Sequence, residues 1–431
     1  MQSNIKENLN RSISRFGFAA LAINGLIGSG IFVLPALAAK SAGPLSPWMF
    51  LLCGILMSTV VLTFAKLSSF FSGTGGPIIY AEMAFGDALS FQTGWLLYFG
   101  RVTALAANAH ALLFYLSLIF PIFEQNLWHQ MAVAIIILSI AFFNLSGVDK
   151  AIKTVNFITY LKIVPLILFI LIGIFYVNKT DIIPNAKWHV ESLSSSLLLL
   201  IYAFIGFESA VVPAGEAHSP QKDIPKALIQ TLIFTTVLYF LIQLISIAVL
   251  PDLQQSKSPL SDVAGVLLGP VGAMIMTFTA IISIFGNLSS VMVAAPRMTY
   301  SLSLHGNLPK WFGAISNKYK VPHYSIYFTT ILALILALSG SFVVLAVVSS
   351  LARMIGYGIC IGALPKISAK LNQFQNQFKL PGKMLIPSIA FLVTIGLALQ
   401  APMKSWIYTL IFIGVGFLLH GLEKNYLKKG S

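Results

Sequence analysis

Residues 227–250 read ALIQTLIFTTVLYFLIQLISIAVL, without one charged side chain. A bilayer core takes about 20 such residues as a helix. Hydrocarbon offers no partner to an unpaired backbone N–H or C=O, so the segment must bond within itself. Largely apolar runs of helix length, some with one or two charged residues, lie near 16–39, 47–70, 90–116, 128–145, 154–177, 193–216, 227–250, 271–300, 324–339, 342–364, 384–400 and 405–421. Only 9% of the 431 residues are charged and 57% are hydrophobic, with a mean hydropathy of +0.86. A soluble domain carries about 25% charged residues. The chain therefore reads as an all-α integral membrane protein with about twelve spans. The alternating ten-residue pattern of a barrel is absent. Connections are short and leave no room for an inserted soluble domain. Two of them, SGTGGPIIYAEMAFG (72–86) and SPLSDVAGVLLG (258–269), read as short helices capping the bundle. The polar start, residues 1–15, reads as a tail without a cleavable signal, and 422–431 as a second tail.

Net charge is +14, but its placement points to the bilayer and away from nucleic acid. Seventeen Lys and Arg side chains fall on one side of the predicted spans, among them Arg15, Lys150, Lys222, Lys310, Lys370 and Lys424. Five, Lys40, Lys179, Lys187, Lys257 and Lys404, fall on the other. The excess of basic residues in cytoplasmic loops puts both termini in the cytoplasm and the protein in the cell membrane. Cys53 and Cys360 both sit in apolar runs, which suits neither a disulfide framework nor a metal site.

Two of the predicted spans carry breaks. The first holds Gly25, Gly28, Ser29 and Gly30 followed by Pro35; the sixth holds Gly206 followed by Pro213. Glycine inside a helix costs about 1 kcal/mol relative to alanine. A single cluster is explained by close helix packing, and Gly25 with Ser29 has that spacing. Two clusters about five spans apart, in helices that run in opposite directions, instead match the interrupted spans of inverted-repeat transporters.

INGLIGSGIFVLPA (23–36), YAFIGFESAVVPAGEAHSPQKDIPKAL (202–228) and APRMTYSLSLHGNLPKWF (295–312) together resemble the amino acid–polyamine–organocation (APC) superfamily. VVSSLARMIGYG (347–358) and FKLPGKMLIP (378–387) extend the likeness over nearly the whole chain. Ser219 stands where the family usually has Asn. The resemblance implies a LeuT-type five-plus-five inverted repeat, with repeats over 16–177 and 193–364 and two further helices over 384–421. It also implies transport of amino acids or related amines.

Site chemistry follows from the breaks. A carboxylate is matched by N–H groups at an exposed half-helix N-terminus, which assigns Ser29, Gly30 and Ile31 as donors. An ammonium is matched by freed carbonyls, assigned to Ile27 and Phe204. Glycine at 28, 30 and 206 allows the backbone angles and the close approach, with Ile205 beside them. Glu208 is the one acidic residue near the middle of a span, where ionisable groups are functional candidates; it reads as a proton-linked gate or as a structural cap on freed backbone. Lys162 can snorkel to the interface. By resemblance it instead occupies the sodium position of sodium-independent members, bridging the first and eighth helices, which favours proton coupling or exchange. Ser289 and Ser290 supply hydroxyls for a sodium-site remnant or accept from Lys162. Tyr202 resembles a gating aromatic, Asn287 is a pocket-lining candidate, and Arg101 faces a cavity, a carboxyl partner or an anionic substrate side chain. His110 and Arg353 raise the same question as Arg101, and Arg297 reads as structural.

An enzyme is not expected: there is no H-E-x-x-H, and the seven histidines are scattered. No ring of like charges or filter indicates a channel. No cofactor and no metal are expected; the partners are an amino acid or amine, protons and lipid. The alternatives are a sodium-coupled symporter and a transport-silent amino acid sensor on the same fold.

Overall fold

The computed structural model describes residues 14–73, 75–146, 151–178, 190–216, 219–371 and 377–429. Expectations for the N-terminal tail over 1–13, and for Lys150, Lys179 and Lys187, lie outside the described residues, as do residues 217–218 of the sixth-span motif. The described residues form helices and no strand. The α-helices are α1 (Arg15–Leu26), α2 (Gly30–Ala42), α3 (Ser46–Ser68), α4 (Pro77–Phe85), α5 (Asp87–Leu116), α6 (Asn126–Leu145) and α7 (Ala151–Gly173). After them come α8 (Val190–Ile201), α9 (Pro220–Val249), α10 (Pro259–Leu304), α11 (His323–Ser339), α12 (Phe342–Leu371), α13 (Leu385–Leu399) and α14 (Met403–Lys429).

Local chemistry sets the ends. Ser14 accepts from the N–H of Gly17 and caps α1. Pro47, Pro77, Pro220 and Pro259 sit in first turns, where a missing N–H costs nothing. Gly86, at φ +81°, turns the chain from α4 into α5. Gly269, at φ +67° and followed by Pro270, divides α10 into a short first part and a long second part. Both short capping helices expected from the sequence are thereby present, over 77–85 and over the part of α10 before Gly269.

Among the described residues, six stretches are long and apolar enough to cross a membrane: Gly30–Ser68, Asn126–Leu145, Pro220–Val249, Pro259–Leu304, Phe342–Leu371 and Met403–Lys424. Shorter apolar helices accompany them at Leu161–Tyr176, Ser196–Ala210, His323–Ser339 and Leu385–Leu399. α5 is absent from both sets because it is polar for a span. It carries Gln92, Thr93, Arg101, Thr103, Asn108 and His110, all buried. It is the central post, packed by α12 and α10 and reached by α4, α11 and α14. A helix enclosed by protein can hold polar groups that lipid would reject. Trp95 of α5 shows how tightly it is wrapped: its ring stacks on Phe412 at 4.4 Å and its indole N–H donates to the Phe412 carbonyl at 2.8 Å. α3 packs on α9, and α1 on α9 and on the turn after Gly206, which brings the two breaks together.

Candidate functional site

The first break is short. α1 stops at Leu26, Ile27 leaves helical space (φ −84°, ψ 81°), and α2 restarts at Gly30. The second is longer. α8 ends at Ile201 and tightens into a 3₁₀ turn, Tyr202–Phe204; Ile205 is extended, and Gly206 is left-handed at φ +111°. A second 3₁₀ turn, Phe207–Ala210, follows. The breaks touch backbone to backbone. A Cβ on Gly206 would lie 2.4 Å from the Gly25 carbonyl oxygen, and one on Gly25 the same distance from the Gly206 oxygen. Gly25 therefore packs across the two breaks. Gly28 and Gly30 correct the expectation from sequence: neither has positive φ. They are small because Asn287 lies 3.2 Å from where a Cβ on Gly28 would sit, and the Ala203 Cα 3.0 Å from one on Gly30.

A cavity of about 60 Å3 lies between the breaks, lined by Gly28, Ser29, Gly30, Tyr202, Ile205, Gly206, Asn287, Arg101 and Ser290 among the expected residues. Asn108, Ser209 and Arg353 line it too. One water needs about 10–15 Å3 of such space, so several waters or a small zwitterion fit. The first hydrogen bonds of α2 run from Phe32 and Val33 to the Ser29 carbonyl, both 3.1 Å. The N–H groups of Ser29 and Gly30 are left without an acceptor among the described residues, at a helix N-terminus beside the cavity.

Three expected residues do not line it. Ile31 is fully buried, although its N–H, like those of Ser29 and Gly30, has no acceptor among the described residues. The Phe204 ring packs edge-on against Tyr239 at 5.3 Å. The Ile27 carbonyl is already occupied: Lys162 Nζ donates to it at 2.6 Å and to Asn24 Oδ1 at 2.7 Å, and the Ser283 hydroxyl approaches it at 3.4 Å. Lys162 has no exposed surface, so it does not snorkel. Ser289 is displaced from its expected role. Its hydroxyl bonds back to Phe285 at 2.9 Å, and Ser283, about two turns earlier on α10, is the serine that meets the first break, also donating to the Gly28 carbonyl at 3.3 Å. Ser290 lines the cavity and does not contact Lys162.

Asn108 organises the polar wall and is not anticipated by the sequence reading. Its Oδ1 accepts from the Tyr202 hydroxyl at 2.9 Å and from the Ser29 hydroxyl. Its Nδ2 donates to Asn287 Oδ1 at 2.7 Å, and Asn287 Nδ2 donates to the Asn24 carbonyl at 3.0 Å. One hydrogen-bonded chain thus joins both breaks, α5, α10 and Lys162. The Tyr202 ring, in the cavity wall, also meets Phe342 edge-on at 5.9 Å. Asn108→Leu would strand two hydroxyls and an amide oxygen; an unfolding titration should show a loss of roughly 2–4 kcal/mol.

Glu208 is not the isolated carboxyl that its position in the sequence suggested. Its Oε2 accepts from the Tyr357 hydroxyl at 2.6 Å and the Gly206 N–H at 3.0 Å. Its Oε1 lies 3.3 Å from Arg353 Nε and 3.5 Å from Arg101 Nη2. Every neighbour is a donor, the surroundings of an ionised carboxylate, which accepts only. Arg101 and Arg353 both meet Glu208, and both also line the cavity. Arg353 further donates to the Gly100 carbonyl at 2.9 Å and to Ser349. His110 is taken up elsewhere, between His129 and the Ala337 carbonyl.

An all-helical bundle with several membrane-length apolar helices and two broken helices meeting at a cavity defines a multi-pass membrane protein. The chain belongs to the amino acid permease family, whose model matches residues 13–419, a branch of the APC superfamily. It is 27% identical to the methylthioribose transporter of Bacillus subtilis, over 99% of this chain and 95% of the relative. It is 25% identical to the branched-chain amino acid permease BcaP of the same species, with the same coverage. To BcaP of Lactococcus lactis it is 24% identical, over 97% of this chain and 96% of the relative. The family and these relatives are transporters, not enzymes.

Proposed function

We propose that the chain is a secondary transporter of amino acids or related amines, sodium-independent and working by alternating access in the cell membrane. One observation carries this: the N–H groups of Ser29 and Gly30 have no acceptor among the described residues, and both residues line a cavity shared with the second break. In this reading the substrate carboxylate takes those N–H groups, and its ammonium takes carbonyls freed along 202–205. The family match and the permeases among the relatives support the substrate class. The fold is read as twelve spans in a LeuT-type five-plus-five repeat, α1–α7 and α8–α12, followed by α13 and α14. The bias of Lys and Arg supports cytoplasmic termini.

The place of Lys162 supports sodium independence. Its ammonium sits between α1 and α10 on the Ile27 carbonyl, where a cation would need that same oxygen. We assign the proton-linked role to Lys162 rather than Glu208. A lysine holds three N–H donors and two are engaged here, whereas two guanidiniums, a hydroxyl and an N–H around Glu208 favour its ionised form. In proteoliposomes without sodium, an inward pH gradient should drive amino acid uptake. Lys162→Met should abolish the gradient-driven component at least tenfold while exchange persists. Uptake that ignores the pH gradient and requires sodium would overturn the assignment, and binding without any flux would make the chain a sensor.

A further inference from the structure

We propose that the cavity selects an amino acid whose side chain ends in a carboxylate, and that Arg101 is the residue that receives that group. The inference rests on the transporter reading above, with the α-carboxylate held at Ser29 and Gly30.

Arg101 is 6% exposed and lines the cavity. A guanidinium carries five N–H donors in a fixed planar fork. Among the described residues its polar contact is the 3.5 Å approach of Nη2 to Glu208, and its buried Nε has no hydrogen-bond partner. Arg353 differs: its Nε is on Glu208, and its Nη1 on the Gly100 carbonyl and Ser349. One guanidinium in the cavity wall is therefore anchored and the other is left with open donors.

The charge count agrees. Two guanidiniums surround one carboxylate, and the other groups on Glu208, the Tyr357 hydroxyl and the Gly206 N–H, bring no charge. No Asp or Glu is among the described residues that line the cavity. The cluster of Arg101, Arg353 and Glu208 keeps one positive charge in excess, apart from the Lys162 ammonium on the first break, at membrane depth where an uncompensated charge is costly. A zwitterion with a neutral side chain adds no net charge and leaves that excess in place. A second carboxylate removes it and suits the fork, which binds carboxylates through two parallel hydrogen bonds. A cationic side chain would add to the excess. Glu208, which meets Arg101 Nη2 and accepts from the Gly206 N–H, is the positioning residue that ties the guanidinium to the second break.

The test is exchange of individually labelled amino acids by the full chain in proteoliposomes. L-Glutamate or L-aspartate should exchange with at least tenfold higher apparent affinity than L-glutamine, L-asparagine, L-leucine or L-lysine, because a site built to hydrogen-bond a group rejects the analogue that lacks it. Arg101→Gln should bring the acid and its amide to within about twofold of each other. Arg101→Lys keeps the charge and loses the fork, so it should retain part of the preference and serves if the glutamine variant does not fold. Equal exchange of acid and amide by the unaltered protein would overturn the proposal and leave the transporter reading standing. So would an Arg101 variant that weakens every amino acid by the same factor. Failure to exchange any amino acid would overturn both.

Discussion

Gly206→Ala should abolish substrate binding and destabilise the protein by roughly 2–5 kcal/mol. Two independent costs meet at this one methyl group. The residue sits at φ +111°, where an L side chain is strained. The added Cβ would also lie 2.4 Å from the Gly25 carbonyl oxygen, and that atom belongs to backbone, which cannot rotate away. Relief requires the two breaks to separate, and their separation opens the cavity wall. Gly28→Ala offers the contrast: the nearest atoms belong to the Asn287 side chain at 3.2 Å, which a small shift accommodates. Ligand-induced thermal stabilisation measured on both variants should vanish for the first and persist, weakened, for the second. Full ligand stabilisation in Gly206→Ala would mean that the contact between the breaks is not needed for the site.

Glu208→Gln should cost about 3–5 kcal/mol, since removing one member of a buried charged cluster leaves the remaining charges uncompensated. Here the loss strands two guanidiniums at once, with side chains 7% and 5% exposed. The Tyr357 hydroxyl and the Gly206 N–H also lose a carboxylate acceptor. Adding Arg101→Gln to Glu208→Gln removes one of the stranded charges and should recover part of the loss. A double-mutant cycle by thermal unfolding reads this directly, with a coupling of roughly 1–3 kcal/mol expected. Strictly additive effects would show that the 3.5 Å approach of Arg101 to Glu208 carries no energy.

What the sequence made legible follows from what is local. Apolar length places the helices, and proline and glycine mark their ends, so the breaks near Gly28–Gly30 and near Gly206 and both short helices at 77–85 and before Gly269 are readable without coordinates. Gly25 reads as a packing residue, and it is one, although its partner, Gly206, lies far away in sequence. Partnerships between distant spans are not legible in this way. Glu208 looks solitary because its neighbours Arg101, Arg353 and Tyr357 come from α5 and α12. Asn108 is unremarkable in a run, 90–116, that reads simply as one more span, and only the central place of α5 gives its polar groups partners. The exchange of Ser289 for Ser283 is an error of phase. The serines of α10 lie on different faces, and about two helical turns of register decide which hydroxyl meets the Ile27 carbonyl. The role first assigned to that carbonyl fails for a related reason, because Lys162 reaches it before a substrate would.

The central claim is that substrate binds between the two breaks, and alkylation of a single introduced thiol tests it most directly. Both native cysteines, Cys53 and Cys360, are fully buried, so Ser290→Cys places the reactive thiol in the cavity wall. The alkylation rate in membranes should fall at least several-fold when an exchanged amino acid is added, and should be unchanged by amino acids that are not exchanged. An amino acid that the protein demonstrably exchanges, yet that leaves the alkylation rate of this thiol unaltered at saturating concentration, would contradict the placement of the site.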